Sequence, residues 1–132
     1  MMIEIYTDGA CSNCIGGIGI IFVKDNKIIK QYSNKYINTT NNQMELGAVL
    51  IALSFITESG CYIVYSDSKY VIEGILGNYS LKKNKRLWNR LKMEYERVKS
   101  ICDIKFVHVK GHSDNYYNNL CDKLAVRARQ LL

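Results

Sequence analysis

Residues 3–36 read IEIYTDGACSNCIGGIGIIFVKDNKIIKQYSNKY, and the alternation in this stretch decides the fold. Ile3–Asp8 alternates apolar and polar side chains and ends at Asp8-Gly9, the pattern of a strand that runs into a turn. Gly17–Val23 and Ile28–Tyr36 are two further β-rich runs, and Asp25-Asn26-Lys27 between them has the composition of a hairpin turn. Three strands in succession with short connections predict an antiparallel meander.

Outward from the meander the period changes. Thr40 with Gln43 three residues on forms a capping box, and Met44, Ala48, Ile51, Ala52 and Phe55 then recur at helical spacing. Tyr62–Ser66 reads as a short strand, followed by Asp67-Ser68 and a helical stretch to about Leu76. Leu87, Trp88, Leu91, Tyr95 and Val98 share one helical face, which makes Trp88 a core residue and not a stacking platform. Ile104–Val109 is the fifth strand, with His108 alternating beside Ile104 and Phe106 in a structural position, and Leu120, Leu124, Ala128 and Leu131 stripe a closing helix. A strand that follows a helix suits parallel addition to an existing sheet. The expected architecture is α/β: a five-stranded mixed sheet, antiparallel in strands 1–3 and parallel in strands 4 and 5, with helices on both faces.

With 132 residues, 48% of them hydrophobic and 23% charged, the chain suits a single domain over 1–132 whose core needs no disulfide. Five cysteines are an odd number for a secreted disulfide framework, and Cys11-x-x-Cys14 lacks a second pair at zinc spacing. No basic-then-apolar leader opens the sequence, and no apolar run is long enough to span a bilayer, so the expectation is a cytoplasmic protein without a membrane. No oligomer signature is visible, which leaves a monomer as the default. The net charge of +6 is focused: Lys82, Lys83, Lys85, Arg86, Arg90 and Lys92 crowd a stretch with no acidic residue between Glu73 and Glu94. Such a focus fits a polyanion, and equally a solvated helix face.

Against that basic background four acids stand out by placement. Asp8 and Asp67 fall at the ends of predicted strands, Glu45 near the start of the long helix, and Asp122 on the last helix with Asn118 one turn before it. Each has a structural alternative when taken singly: a turn for Asp8, a helix cap for Asp67, a dipole partner for Glu45, a surface charge for Asp122. Neighbouring parallel strands would bring the first two together at the sheet end where α/β folds bind ligands.

The segments around these acids resemble a known family. Tyr6-Thr7-Asp8-Gly9-Ala10-Cys11, Thr39-Thr40-Asn41-Asn42-Gln43-Met44-Glu45-Leu46 and Tyr65-Ser66-Asp67-Ser68-Lys69-Tyr70-Val71 are similar to three signatures of type 1 ribonuclease H. Val109-Lys110-Gly111-His112, with Cys121-Asp122-Lys123-Leu124-Ala125 following, resembles the fourth, and all four keep the family's order. The resemblance implies a ribonuclease H-like fold and an endonuclease that cuts the RNA strand of an RNA–DNA hybrid. It implies two Mg²⁺ ions, with Mn²⁺ as a possible substitute: Asp8 bridging them, Glu45 and Asp67 flanking one, Asp122 helping to hold the other. Products would carry 5′-phosphate and 3′-hydroxyl ends, and His112 would assist proton transfer or product departure. Hard cations of this kind take oxygen ligands, which is why carboxylates suit the task.

For the hybrid, the resemblance assigns minor-groove contacts to Asn41, Asn42 and Gln43 and to the backbone of Gly9, Ala10 and Cys11. It assigns a DNA-strand phosphate to Thr40 and an RNA contact near the cut to Asn118. The sequence departs from the family in three places: a long basic protrusion is cut to a stub carrying Lys82, Lys83, Lys85 and Arg86, Ser12–Gly17 replaces the usual Gly-Asn-Pro-Gly run, and Lys69 replaces a polar residue. A hybrid-binding module that does not cut, and a resolvase or integrase of the same fold, are the competing readings. The first has no need of four acids beside phosphates, and the second lacks the Thr-Asn-Asn and Lys-Gly-His signatures.

Overall fold

The computed structural model describes residues 2–77, 83–110 and 114–131. Its strands are β1 (Met2–Ser12), β2 (Ile15–Lys24), β3 (Lys27–Ile37), β4 (Cys61–Ser66) and β5 (Asp103–His108); its helices are α1 (Asn41–Ser54), α2 (Lys69–Ile75), α3 (Lys85–Lys99) and α4 (Tyr116–Arg129). The strands form one sheet in the order β3-β2-β1-β4-β5. β1 and β2 pair antiparallel, as do β2 and β3, while β4 joins β1 and β5 joins β4 in parallel. The mixed sheet expected from the alternation is therefore present.

One detail of the first strand differs from the expectation. Asp8-Gly9 does not end β1; pairing with β2 continues through Asp8↔Gly19 to Ser12↔Ile15. The turn falls at Asn13-Cys14, both at positive φ (52° and 62°), and the second hairpin turns likewise on Asp25-Asn26 (52° and 61°). Both are two-residue turns whose twist matches paired strands. A continuous ladder of backbone hydrogen bonds thus overrides the turn propensity of Asp-Gly.

The two faces of the sheet are divided by the period of two. Ile5, Ile18, Ile20 and Phe22 point to the side of α1 and α3, and Tyr6, Ile21 and Val23 to the side of α4. α1 is buried on nearly every side, with Met44, Leu46, Val49, Leu50 and Leu53 all in the core, because α3 covers the flank that the sheet leaves free. Arg97 of α3 closes this layer by donating to the carbonyls of Leu53 and Ile56 at 2.9 Å, which satisfies acceptors at the end of α1. Trp88 is 1% exposed, and its indole N–H donates to the Tyr70 hydroxyl at 2.9 Å, a core role as expected.

On the other face α4 approaches the sheet unusually closely. A Cβ at Gly17 would stand 2.0 Å from the Ala125 carbonyl oxygen and 2.6 Å from the Arg129 nitrogen, so only glycine admits the helix there. The Cys121 thiol is sealed in this contact, 3.0 Å from the Gly19 carbonyl and 3.4 Å from that of Tyr6. Among the described residues no helix is long and apolar enough to cross a membrane.

Candidate active site

The parallel pairing of β1 with β4 ends at Tyr6↔Tyr65, and just beyond it the chains deliver Asp8 and Asp67 to one place. Glu45 enters from the first turns of α1. That helix starts on a complete capping box, in which the Thr40 hydroxyl accepts from the Gln43 amide and the Gln43 side chain accepts from the Thr40 amide. Its backbone passes so near β1 that a Cβ at Gly9 would stand 2.4 Å from the Met44 carbonyl carbon. Glycine at 9 therefore serves the close approach of a helix and not a turn. The Gly9 amide donates to Asp8 Oδ1 at 2.9 Å and to Glu45 Oε1, joining the two acids through one N–H.

One oxygen each from Asp8, Glu45 and Asp67 lies within 4.8 Å of the others. Asp8 is 3% exposed and Glu45 6%, and Asp8 Oδ2 is buried with no hydrogen-bond partner. Burial, reinforced by the negative charges of Asp67 and Asp122, pushes the Asp8 carboxyl up to about 8. Burial first, and then the charges of Asp8 and Asp67, holds Glu45 well above the usual carboxylate range. Converging carboxylates with an orphaned oxygen, and no nitrogen or sulfur ligand in the group, fit a hard divalent cation.

These acids sit in a cleft of about 530 Å³. Gly9, Ala10, Cys11, Asn41 and Asn42 line it on the side of α1, and Asp122 lines it from α4, outside the 4.8 Å group. Thr40 and Gln43 do not line it; they hold the helix start, and Gln43 also donates to Asn84 at 3.3 Å. Asn118 is 2% exposed and is likewise off the cleft wall. Lys83, Lys85 and Arg86 are exposed at the start of α3, away from the cleft lining, whereas Lys82 and His112 lie outside the described residues. His108 is exposed, with Nε2 3.2 Å from the Asp67 carbonyl. Sequence reasoning missed Arg129, which lines the cleft seven residues after Asp122; that spacing on one helix was the signal available. A second cavity, about 510 Å³, lies between α1 and α3 near Met44, Leu50, Leu87 and Met93 and gathers no comparable cluster.

Comparison with known proteins agrees with this geometry. A family model described as RNase H matches residues 1–130. The chain is 42% identical to a ribonuclease H of Acetivibrio thermocellus over 93% of its own length and 91% of that protein's. It is 43% identical to one of Clostridium botulinum, over 94% and 93%. Among solved structures, LC11-RNase H1 in complex with an RNA/DNA hybrid superposes with a TM-score of 0.79 at 24% identity, covering 96% of this chain and 95% of that one. RNase H1 from the archaeon Halobacterium salinarum superposes equally well, 0.79 at 23% identity over 97% of each chain. The fold and the acidic cluster are those of a nuclease. The chain belongs to the ribonuclease H family.

Proposed function

We propose that this chain, acting as one domain over residues 1–132, hydrolyses the RNA strand of RNA–DNA hybrids internally, leaving 5′-phosphate and 3′-hydroxyl ends. The observation that carries the reading is the buried, unpartnered Oδ2 of Asp8 at the centre of converging carboxylates. Asp8, Glu45, Asp67 and Asp122 would hold two divalent cations, Mg²⁺ with Mn²⁺ as a substitute. When bound, these supply activation of the attacking water and compensation of charge on the departing sugar oxygen.

The chain's own groups do the rest. The Gly9 amide fixes Asp8 and Glu45 in one orientation, so their lone pairs face a common point before substrate arrives. Asn41 and Asn42, exposed on the cleft wall, carry amides that donate and accept together, which suits the 2′-hydroxyls in the shallow minor groove of an A-like duplex. Thr40 at the helix start faces a DNA-strand phosphate, favoured by the free amides there. Asn118 supports the RNA strand near the cut and His112 assists proton transfer or product departure. The exposed Lys83, Lys85 and Arg86, with Lys82, attract the duplex at longer range. We place the protein in the cytoplasm as a monomer.

The test is cleavage of end-labelled RNA–DNA hybrid, double-stranded RNA and double-stranded DNA with Mg²⁺, with Mn²⁺ and with chelator. Metal-dependent cutting confined to the RNA of the hybrid, with ends that a ligase joins directly, is expected. Cutting of the DNA duplex alone, or hybrid binding without cutting, would overturn the reading.

A further inference from the structure

Arg129 lines the acidic cleft although it lies two helical turns beyond Asp122. The register explains how it gets there. Ala10 on β1 is paired with Gly17 on β2, and the backbone of α4 from Ala125 to Arg129 rests directly on Gly17. The last turn of α4 is thus held beside Ala10 and Cys11, whose edge walls the same cleft. Asp122 and Arg129 are separated by about 10 Å along the helix, a span of a few nucleotides of one strand.

The side chain is only partly satisfied where it stands. Its Nε–H is buried without a hydrogen-bond partner, and it takes no part in either ion pair among the described residues, Arg97–Glu94 and Lys99–Glu96. The negative end of α4 does not require it, because Arg127 in the same turn is exposed and available. Arg129 lines the cleft proposed for nucleic acid and forms neither of those ion pairs, and a planar guanidinium there suits a phosphate of the duplex backbone. α4 brings both Asp122 and Arg129 to the cleft that Asn41 and Asn42 also line, so the strand within reach of Arg129 is the one presented to Asp122.

We propose that Arg129 is a positioning residue that grips an RNA-strand phosphate a few nucleotides from the scissile bond, over Ala10 and Cys11. The proposal rests on the hybrid-cleaving function given above. Gripping the backbone there sets the register of the RNA strand over the carboxylates, a task the shortened basic stub leaves open.

Hybrid binding is measured from about 50 to 200 mM salt for Arg129→Gln and Arg129→Lys, each combined with Asp8→Asn to prevent cutting. Arg129→Gln is expected to weaken binding roughly five- to tenfold and to lower the slope of log affinity against log salt by about 0.9, the loss of one phosphate contact. Arg129→Lys restores the slope. In otherwise unchanged enzyme, Arg129→Gln raises KM with little change in kcat. Neutral methylphosphonate linkages placed singly along each strand identify the partner: one RNA linkage weakens wild-type binding and has no further effect in Arg129→Gln. An unchanged slope and KM overturns the proposal, as does coupling to a DNA-strand linkage. Tighter Mg²⁺ binding with an unchanged slope also overturns it, since Arg129 would then be a counter-charge for the carboxylates. Should Arg129→Gln fail to fold, Arg129→Lys paired with the methylphosphonate series carries the same decision. A wild-type protein that neither binds nor cuts hybrid sinks both readings; one that cuts, with Arg129 variants unaltered, sinks this one alone.

Discussion

Asp8 and Glu45 lie deep in the cleft at 3% and 6% exposure, tied together by the Gly9 amide, whereas Asp67 and Asp122 stand half-buried on its rim. The deep pair comes from the middle of a paired strand and the start of a capped helix; the rim pair comes from the residue just past β4 and from α4, one turn after the buried Asn118. Without a cation the deep pair must either keep protons or set charge against charge where little water can screen it. The rim pair is cheap to fold. Positioning of the site is therefore concentrated in two residues, and so is its cost to stability.

Breaking the deep pair should have the largest effect. Asp8→Asn is expected to reduce hybrid cleavage by more than about a thousandfold. It should also raise the melting temperature of the metal-free protein by a few degrees, roughly what relief of about 1 kcal/mol gives in a domain of this size. Calorimetry in chelator beside a cleavage assay checks both; a lower melting temperature would mean that the carboxylate is stabilising as it stands.

Asp122→Asn, on the rim, should cost less, roughly ten- to a hundredfold in turnover, and leave the metal-free melting temperature nearly unchanged. If its loss equals that of Asp8→Asn, the distinction between deep and rim acids has no catalytic meaning.

The deep pair also carries a pH dependence. Asp8 is raised to about 8 and Glu45 is raised well above its ordinary value, so between roughly pH 4 and 8 the folded state holds protons that the unfolded chain has released. Stability of the metal-free protein therefore declines as pH rises through that window, with a melting temperature lower at pH 8 than at pH 5 by on the order of 5 °C. Excess Mg²⁺ should oppose the decline, because it binds the ionised folded form. A melting temperature that rises between pH 5 and 8 in chelator would show that Asp8 and Glu45 are ionised without penalty.

The smallest effect tests the helix start that holds Glu45 in place. Thr40→Ala removes half of the capping box and should cost about 1 kcal/mol by denaturant unfolding. Its effect on activity should follow Asp8 and Glu45 and leave the geometry of Asp67 untouched.

Much of this was legible in the sequence. Period-two alternation gave the meander, and the Thr40–Gln43 spacing gave the start of α1 together with the place of Glu45 near it. What escaped was tertiary. Asp8-Gly9 reads locally as a turn, yet the β2 ladder carries the strand four residues further, and Gly9 is required by a helix that sequence-local reasoning cannot see. Arg129 reads as an ordinary cation in a last helical turn; its place in the cleft depends on Gly17, more than a hundred residues away in sequence. Gln43, expected to contact the nucleic acid, also closes the capping box with Thr40 and donates to Asn84, a bond to α3 that the local spacing does not reveal.

The seal of α4 over Cys121 has a consequence of another kind. A thiol reacts as its thiolate, and burial pushes this one well above its usual range while Tyr6 and Gly19 enclose it. Cys14, exposed in the first hairpin turn, is open to an alkylating reagent at once. Cys121 can be alkylated only when α4 lifts from the two glycines beneath it. The native chain thus carries its own stopwatch: the slow labelling of Cys121, timed against the rapid labelling of Cys14, records how often the wall bearing Asp122 and Arg129 comes away from the sheet.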